Sequence, residues 1–120
     1  MEHTISAYKL WRDCLTHFPK KSRPTLGTKI DNAFVGIIEW ISIATWQAKD
    51  KKVPTLQKAI AQTDLLKCFL QVAREVHDLD NKKFIMLSEP VAGIGRMLGG
   101  WVKKIQEEEK LQPPKKAAEE

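Results

Sequence analysis

The chain has 120 residues, 42% of them hydrophobic and 29% charged, with a formal net charge of +5. That length suits one domain with a core of its own, and the balance is that of an ordinary soluble protein. The longest mostly apolar run, Ala33 to Trp46, is broken by Glu39 and is too short to span a bilayer.

No basic-then-apolar leader opens the sequence, so a cytoplasmic protein without membrane association is expected. Cys14 and Cys68 lie far apart and form no Cys-x-x-Cys pair. Both are expected to be small buried thiols, not a disulfide or a metal site.

Ile5, Tyr8, Trp11, Leu15 and Phe18 recur at helical spacing and predict a short first helix from about Thr4 to Phe18. Pro19 and the Lys20-Lys21-Ser22-Arg23-Pro24 run then form a basic loop. Thr25 is the expected cap of a second helix from Leu26 to Lys49, whose stripe Leu26, Ile30, Ala33, Ile37, Trp40, Ala44 and Ala48 is widened by Phe34, Ile38 and Ile41. After a turn at Asp50–Val53, Pro54 suits the first turn of a third helix, because its missing N–H is not needed there. That helix runs to Leu79 with Leu56, Ala59, Ile60, Leu66, Phe69, Leu70, Ala73 and Val76 inward. Asp80 or Asn81 is the candidate cap of the fourth helix.

In the fourth helix Phe84, Leu87, Val91, Ile94, Leu98, Trp101 and Ile105 alternate in steps of three and four, a heptad seam suited to shallow-angle packing. Pro90 interrupts it and predicts a kink, with the register resuming afterwards. The fold class is therefore all-α, an antiparallel up-and-down four-helix bundle over residues 1–106. Residues 107–120 are expected to be a polar, disordered tail.

Behind the seam lies a second face of small and apolar residues, Ile85, Ser88, Ala92, Gly95, Gly99 and Val102. Each glycine in a helix interior costs about 1 kcal/mol relative to alanine, a cost that close approach of another backbone offsets. Ile85, Ala92, Gly95, Gly99 and Val102, with Phe34, Ile38 and Ile41 of the second helix, are accordingly the expected interface of a homo-oligomer. A monomer with unusually intimate internal packing is the alternative.

Charge is unevenly placed. Residues 107–120 hold five acidic and three basic side chains, and the other 106 carry 17 basic against 10 acidic. A basic body invites polyanions. Lys20, Lys21 and Arg23 cluster in the first loop, and Lys49, Lys51 and Lys52 in the second turn. Lys67 and Arg74 share a face of the third helix. Lys82, Arg96 and Lys103 fall on a seven-residue period with Glu89. Such patches suit sequence-independent phosphate contacts, although a merely solvated lysine-rich surface reads the same way.

Catalytic patterns are poorly represented. His3, His17 and His77 are isolated, and the Glu75, His77 and Asp78 group reads as helix-end capping. Gly93-Ile94-Gly95 lacks the last glycine of a dinucleotide fingerprint and sits in a helix. No cofactor, metal or enzymatic activity is expected.

Ile94-Gly95-Arg96-Met97-Leu98-Gly99-Gly100-Trp101-Val102, following Phe84 to Glu89, resembles the closing helix of the four-helix bundle proteins called Avd. These are the accessory variability determinants of diversity-generating retroelements, and they are similar to small proteins encoded in intervening sequences of bacterial 23S ribosomal RNA genes. The Phe18-Pro19-Lys20-Lys21 loop, Thr25-Leu26-Gly27 and Leu65-Leu66 look like the same family. The resemblance spans about Ile5 to Lys104. It implies a homopentameric, ring-like assembly with a positive surface. Such an assembly binds a retroelement reverse transcriptase and its template RNA and supports mutagenic cDNA synthesis without an active site of its own. Arg96 and the basic positions around it become candidates for polymerase or RNA contact. The alternative is a stand-alone bundle of the rRNA-intervening-sequence type, with a structural or regulatory role on RNA and no polymerase partner.

Overall fold

The computed structural model describes residues 1–111, and the last part of the expected tail, residues 112–120, lies outside them. Four α-helices follow one another: α1 over Glu2–Leu15, α2 over Thr28–Trp46, α3 over Lys49–Glu75 and α4 over Asn81–Leu111. No strand occurs among the described residues. α1 packs on α2 and α4, and α3 on the same two helices, closing an antiparallel bundle.

α1 buries a different line from the expected stripe. Thr4, Ala7, Trp11, Cys14 and Phe18 point inward, while Ile5 is exposed and Tyr8 and Leu15 are half-buried. Small side chains at positions 4, 7 and 14 let the helix sit close, and Trp11 fills the space between them. Its indole ring stacks near Phe34 and meets the edge of Phe18. Cys14 is buried there, but Cys68 is exposed, so only the first thiol is the core residue expected.

Between α1 and α2 the chain makes a single π-type turn, Arg23–Gly27. Thr25 lies inside that turn and its hydroxyl donates to Ser22 O, so it does not cap α2. α2 then buries Ile30, Ala33, Phe34, Ile37, Ile41 and Ala44. Its end comes earlier than the pattern suggests, at Trp46, because Gln47 and Ala48 are extended. Lys52 closes that end by donating from Nζ to Ala44 O at 2.7 Å and Thr45 O at 3.3 Å, a cation set against the helix's negative pole.

α3 therefore starts at Lys49, before Pro54, which lies within the helix and forfeits one backbone bond. It buries Thr55, Leu56, Ala59, Thr63, Leu66, Leu70 and Ala73, and leaves Val76, expected inside, exposed. Its end comes before Leu79, since His77 adopts φ 65°, the left-handed turn that stops a helix. Asp80 caps α4 as expected: its carboxylate accepts the Lys83 N–H at 2.8 Å.

α4 runs through Pro90 to Leu111 without a break in the helix. Residues 107–111, expected to belong to the tail, are helical, and Glu108 pairs with Lys49 of α3. Leu87, Val91, Ile94, Leu98 and Ile105 of the heptad seam are buried; Phe84 and Trp101 sit half-buried at its edges. α1 is much the shorter partner. At about 1.5 Å per residue it covers roughly 20 Å of α4's roughly 45 Å. His3, near its start, already lies against Gly93, so the half of α4 beyond Gly93 has no α1 beside it.

Candidate nucleic-acid and partner interface

The α3–α4 flank is built around Gly95. A Cβ there would lie 3.4 Å from Lys67 Nζ and 3.9 Å from Thr63 of α3. The missing side chain thus makes room for Lys67 to cross α4, next to Arg96. Lys67 also approaches Asp64 at 3.9 Å, a weak exposed pair. Arg96 and Lys103 are exposed and form no ion pair among the described residues. Gly99 and Gly100 lie between them in sequence, and a Cβ at either would meet nothing within 4 Å. Lys67, Arg96 and Lys103 therefore form one cationic flank beside bare backbone.

A second group gathers at the end of the bundle where α1 and α3 finish and α2 and α4 begin. Arg74 lies with its guanidinium 4.5 Å from the centre of the Phe84 ring and donates to Glu75 at 3.2 Å. Lys82, Lys20 and Lys21 are exposed at the same end. Arg23, expected to be a free surface cation, is instead tied down. Its Nε donates to Phe18 O at 3.0 Å and its Nη2 to Thr16 O at 2.9 Å, which satisfies carbonyls after α1. The second-turn cluster is likewise partly consumed. Lys49 pairs with Glu108, and Lys52 caps α2 and lies 5.7 Å from the Trp101 ring centre.

The expected oligomer face divides. Phe34 and Ile41 have 0% and 3% exposure within the single chain, so they belong to its core and cannot also form an interface. Val102 is also buried, and Ala92 and Ile38 are half-buried. Gly95 serves the α3–α4 contact just described. Ile85, at 58% exposure, and the open Gly99 remain as outward-facing members. Two contacts account for the difference: α3 packs along the second face of α4, and Phe34 and Ile41 of α2 point into the bundle core.

Arg12 and Asp31 carry a network that the sequence reading passed over. Tyr8 donates its hydroxyl proton to Asp31 Oδ1 at 2.9 Å and accepts from Arg12 Nη1 at 3.3 Å. That bond, with the fields of Tyr8 and Asp31, raises the Arg12 pKa further above its ordinary value. The one signal available was the spacing of Tyr8 and Arg12, four residues apart on one helix face.

The family model described as bAvd-like matches residues 4–105. The chain belongs to that family. The match takes in all of α2 and α3 and most of α1 and α4, so the cationic flank and the Gly95–Trp101 segment of this bAvd-like protein lie inside it. No curated protein matches the chain. Among the described residues of this bAvd-like bundle, no helix is long and apolar enough to cross a membrane, and no group of His, Cys, Asp and Glu could hold a metal ion.

Proposed function

We propose that this bAvd-like chain is a non-catalytic, homo-oligomeric accessory protein that binds a retroelement reverse transcriptase and its template RNA. In that role it supports mutagenic cDNA synthesis in the cytoplasm. The observation that carries the reading is the family match over residues 4–105, which includes the flank of Lys67, Arg96 and Lys103. Exposed cations next to bare helix backbone let a phosphate chain or a partner helix come close, and phosphate contacts of this kind position a strand without reading its sequence.

Assembly into a ring, a pentamer by family resemblance, has separate support. The half of the bundle beyond α1 has three helices, not four, and leaves Trp46 at 86% exposure with Gly99 and Gly100 open. A neighbouring copy would supply the missing cover, and repeating the protomer multiplies the positive charge facing RNA.

The test is co-purification of the tagged chain with the reverse transcriptase encoded beside its gene, in buffers of low and high ionic strength. A multimeric complex holding enzyme and RNA at low salt, with RNA lost first as salt rises, is the expected result. A multimer that retains RNA but no polymerase would replace this reading with the stand-alone bundle.

A further inference from the structure

A cleft of about 360 Å³ opens where α1 hands over to α2, with Arg12, Thr16, Arg23, Thr28 and Asp31 among its lining residues. That size is at the lower end for a small-molecule site. Its donors and acceptors are sorted. Arg23 is held by Phe18 O and Thr16 O through Nε and Nη2, which leaves Nη1 without a bond to the described residues. Arg12 spends only Nη1, on Tyr8. Neither guanidinium has a carboxylate within ion-pair distance among the described residues. The Arg23 fork, already fixed at two nitrogens, loses little freedom when it takes an oxyanion.

The remaining groups can only accept. Thr16 and Thr28 give their hydroxyl protons to Asp13 O at 2.8 Å and Arg23 O at 3.0 Å. Asp31 takes both Tyr8 and Trp11 on Oδ1, so Oδ2 has no partner among the described residues. A bare phosphate ion would satisfy the two arginines and leave the acceptors idle beside an anion. A ligand matching both sides carries an anionic oxygen and, within one nucleotide's span, a hydrogen-bond donor. Base N–H groups lie farther from the phosphate than the sugar does, and the sugar donor of RNA is the ribose 2′-hydroxyl, which DNA lacks. A carboxylate receiving a ribose hydroxyl is also how dinucleotide-binding folds hold their sugar.

We propose that this cleft seats one ribonucleotide unit, with its phosphate on Arg12 and Arg23 and its 2′-hydroxyl on Asp31. This rests on the RNA-binding reading and adds to it a preference for RNA over DNA, located at one corner of the protomer.

The experiment is equilibrium binding of a short single-stranded RNA and of DNA of the same sequence to the full chain, Arg12→Gln and Asp31→Asn. A ribonucleoside monophosphate serves as competitor. Asparagine keeps an oxygen for Tyr8 and Trp11 and turns the other acceptor into a donor. The wild type should favour RNA by about tenfold, the worth of one charge-assisted hydrogen bond. Asp31→Asn should erase that preference by lowering RNA affinity, with DNA affinity changed far less, whereas Arg12→Gln, which removes a phosphate contact, should weaken the binding of both strands. Displacement of RNA by the monophosphate, lost in Arg12→Gln, would identify a free nucleotide as an occupant. Preference for RNA without displacement would identify the strand itself. Equal wild-type affinity for RNA and DNA overturns the cleft proposal and leaves general RNA binding standing, whereas binding to neither refutes both. A preference that survives Asp31→Asn also overturns it, as does unchanged affinity of Arg12→Gln for RNA, a readout that does not depend on the fold because Arg12 is exposed.

Discussion

Trp11, with 0% exposure, donates its indole N–H to Asp31 Oδ1 at 3.1 Å and so fixes α1 against the start of α2. α1 is short and makes fewer contacts than the long helices, so this one bond matters to its placement. Asp31→Ala would leave the buried indole N–H and the Tyr8 hydroxyl without their acceptor, a loss of about 1–3 kcal/mol. The midpoint of thermal unfolding should fall by several degrees, while Asp31→Asn, which keeps the acceptor, should melt close to the wild type. Equal melting of the alanine variant and the wild type would show that the bond contributes nothing.

His77 occupies the left-handed region at φ 65°, where the α3 helix stops and Asp78 N–H and Leu79 N–H both reach Ala73 O. Glycine is the usual residue in such a helix stop because it has no Cβ to crowd the next carbonyl. His77→Gly should therefore raise stability by about 0.5–1 kcal/mol, the relief of strain less glycine's greater freedom in the unfolded chain. Urea unfolding reads this directly as a higher midpoint at unchanged slope. A lower midpoint would mean that the imidazole makes a stabilising contact.

The bundle was legible because α4 keeps its heptad from Leu87 to Ile105 and α2 its dense apolar stripe, and periodicity survives in sequence. Ends were harder. Pro54 suits a first turn, yet α3 begins at Lys49, since one lost backbone bond costs less than unwinding a turn that Lys52 and Lys49 hold from the side. α1 was misread by one position because spacing counts Ile5 and Leu15 as apolar and cannot see that Thr4, Ala7 and Cys14 permit close approach. At the site, sequence marks which residues are cations and not which are already engaged. Arg23 and Arg96 look alike as letters; one is bonded to two carbonyls and the other points to solvent.

The two thiols should separate cleanly by reactivity. Cys68 is exposed, whereas burial in the α1 core pushes the Cys14 thiol above its ordinary pKa. The nucleophile is the thiolate, so a thiol reagent near neutral pH should label Cys68 first and Cys14 only as the chain opens. The sign of the pH effect follows. Cys14's folded pKa lies above its unfolded one, so the contribution is whole below the unfolded thiol's value, about 8.5, and declines as pH rises past it. Cys14→Ala should flatten that alkaline decline in a series of melts. Equal labelling rates at both positions in the folded protein would contradict the buried placement.

Arg96 and Lys103 stand on the α4 flank without ion-pair partners among the described residues, and neither supports the core. Phosphate contacts release counterions, so the logarithm of affinity falls with the logarithm of salt by about 0.7 per phosphate on single strands. Replacing both residues with alanine should reduce that slope by about 1.4 units if each neutralises one phosphate, with no change in thermal midpoint. RNA affinity that does not change at any salt concentration would remove these two residues from the interface.

Gly99 separates the stability of one chain from the stability of an assembly. Within the protomer nothing lies within 4 Å of a Cβ built there, so no internal contact forbids a side chain. Leucine is a far better helix former than glycine, and Gly99→Leu should strengthen α4 by up to about 1 kcal/mol in an isolated chain. A neighbouring copy packed on the open backbone reverses that sign, since a leucine forced into a close contact costs about 1–3 kcal/mol. The variant should therefore fold normally by circular dichroism and yet show a smaller mass by light scattering at the same concentration. A leucine variant with the wild-type subunit number would leave Gly99 with no part in assembly.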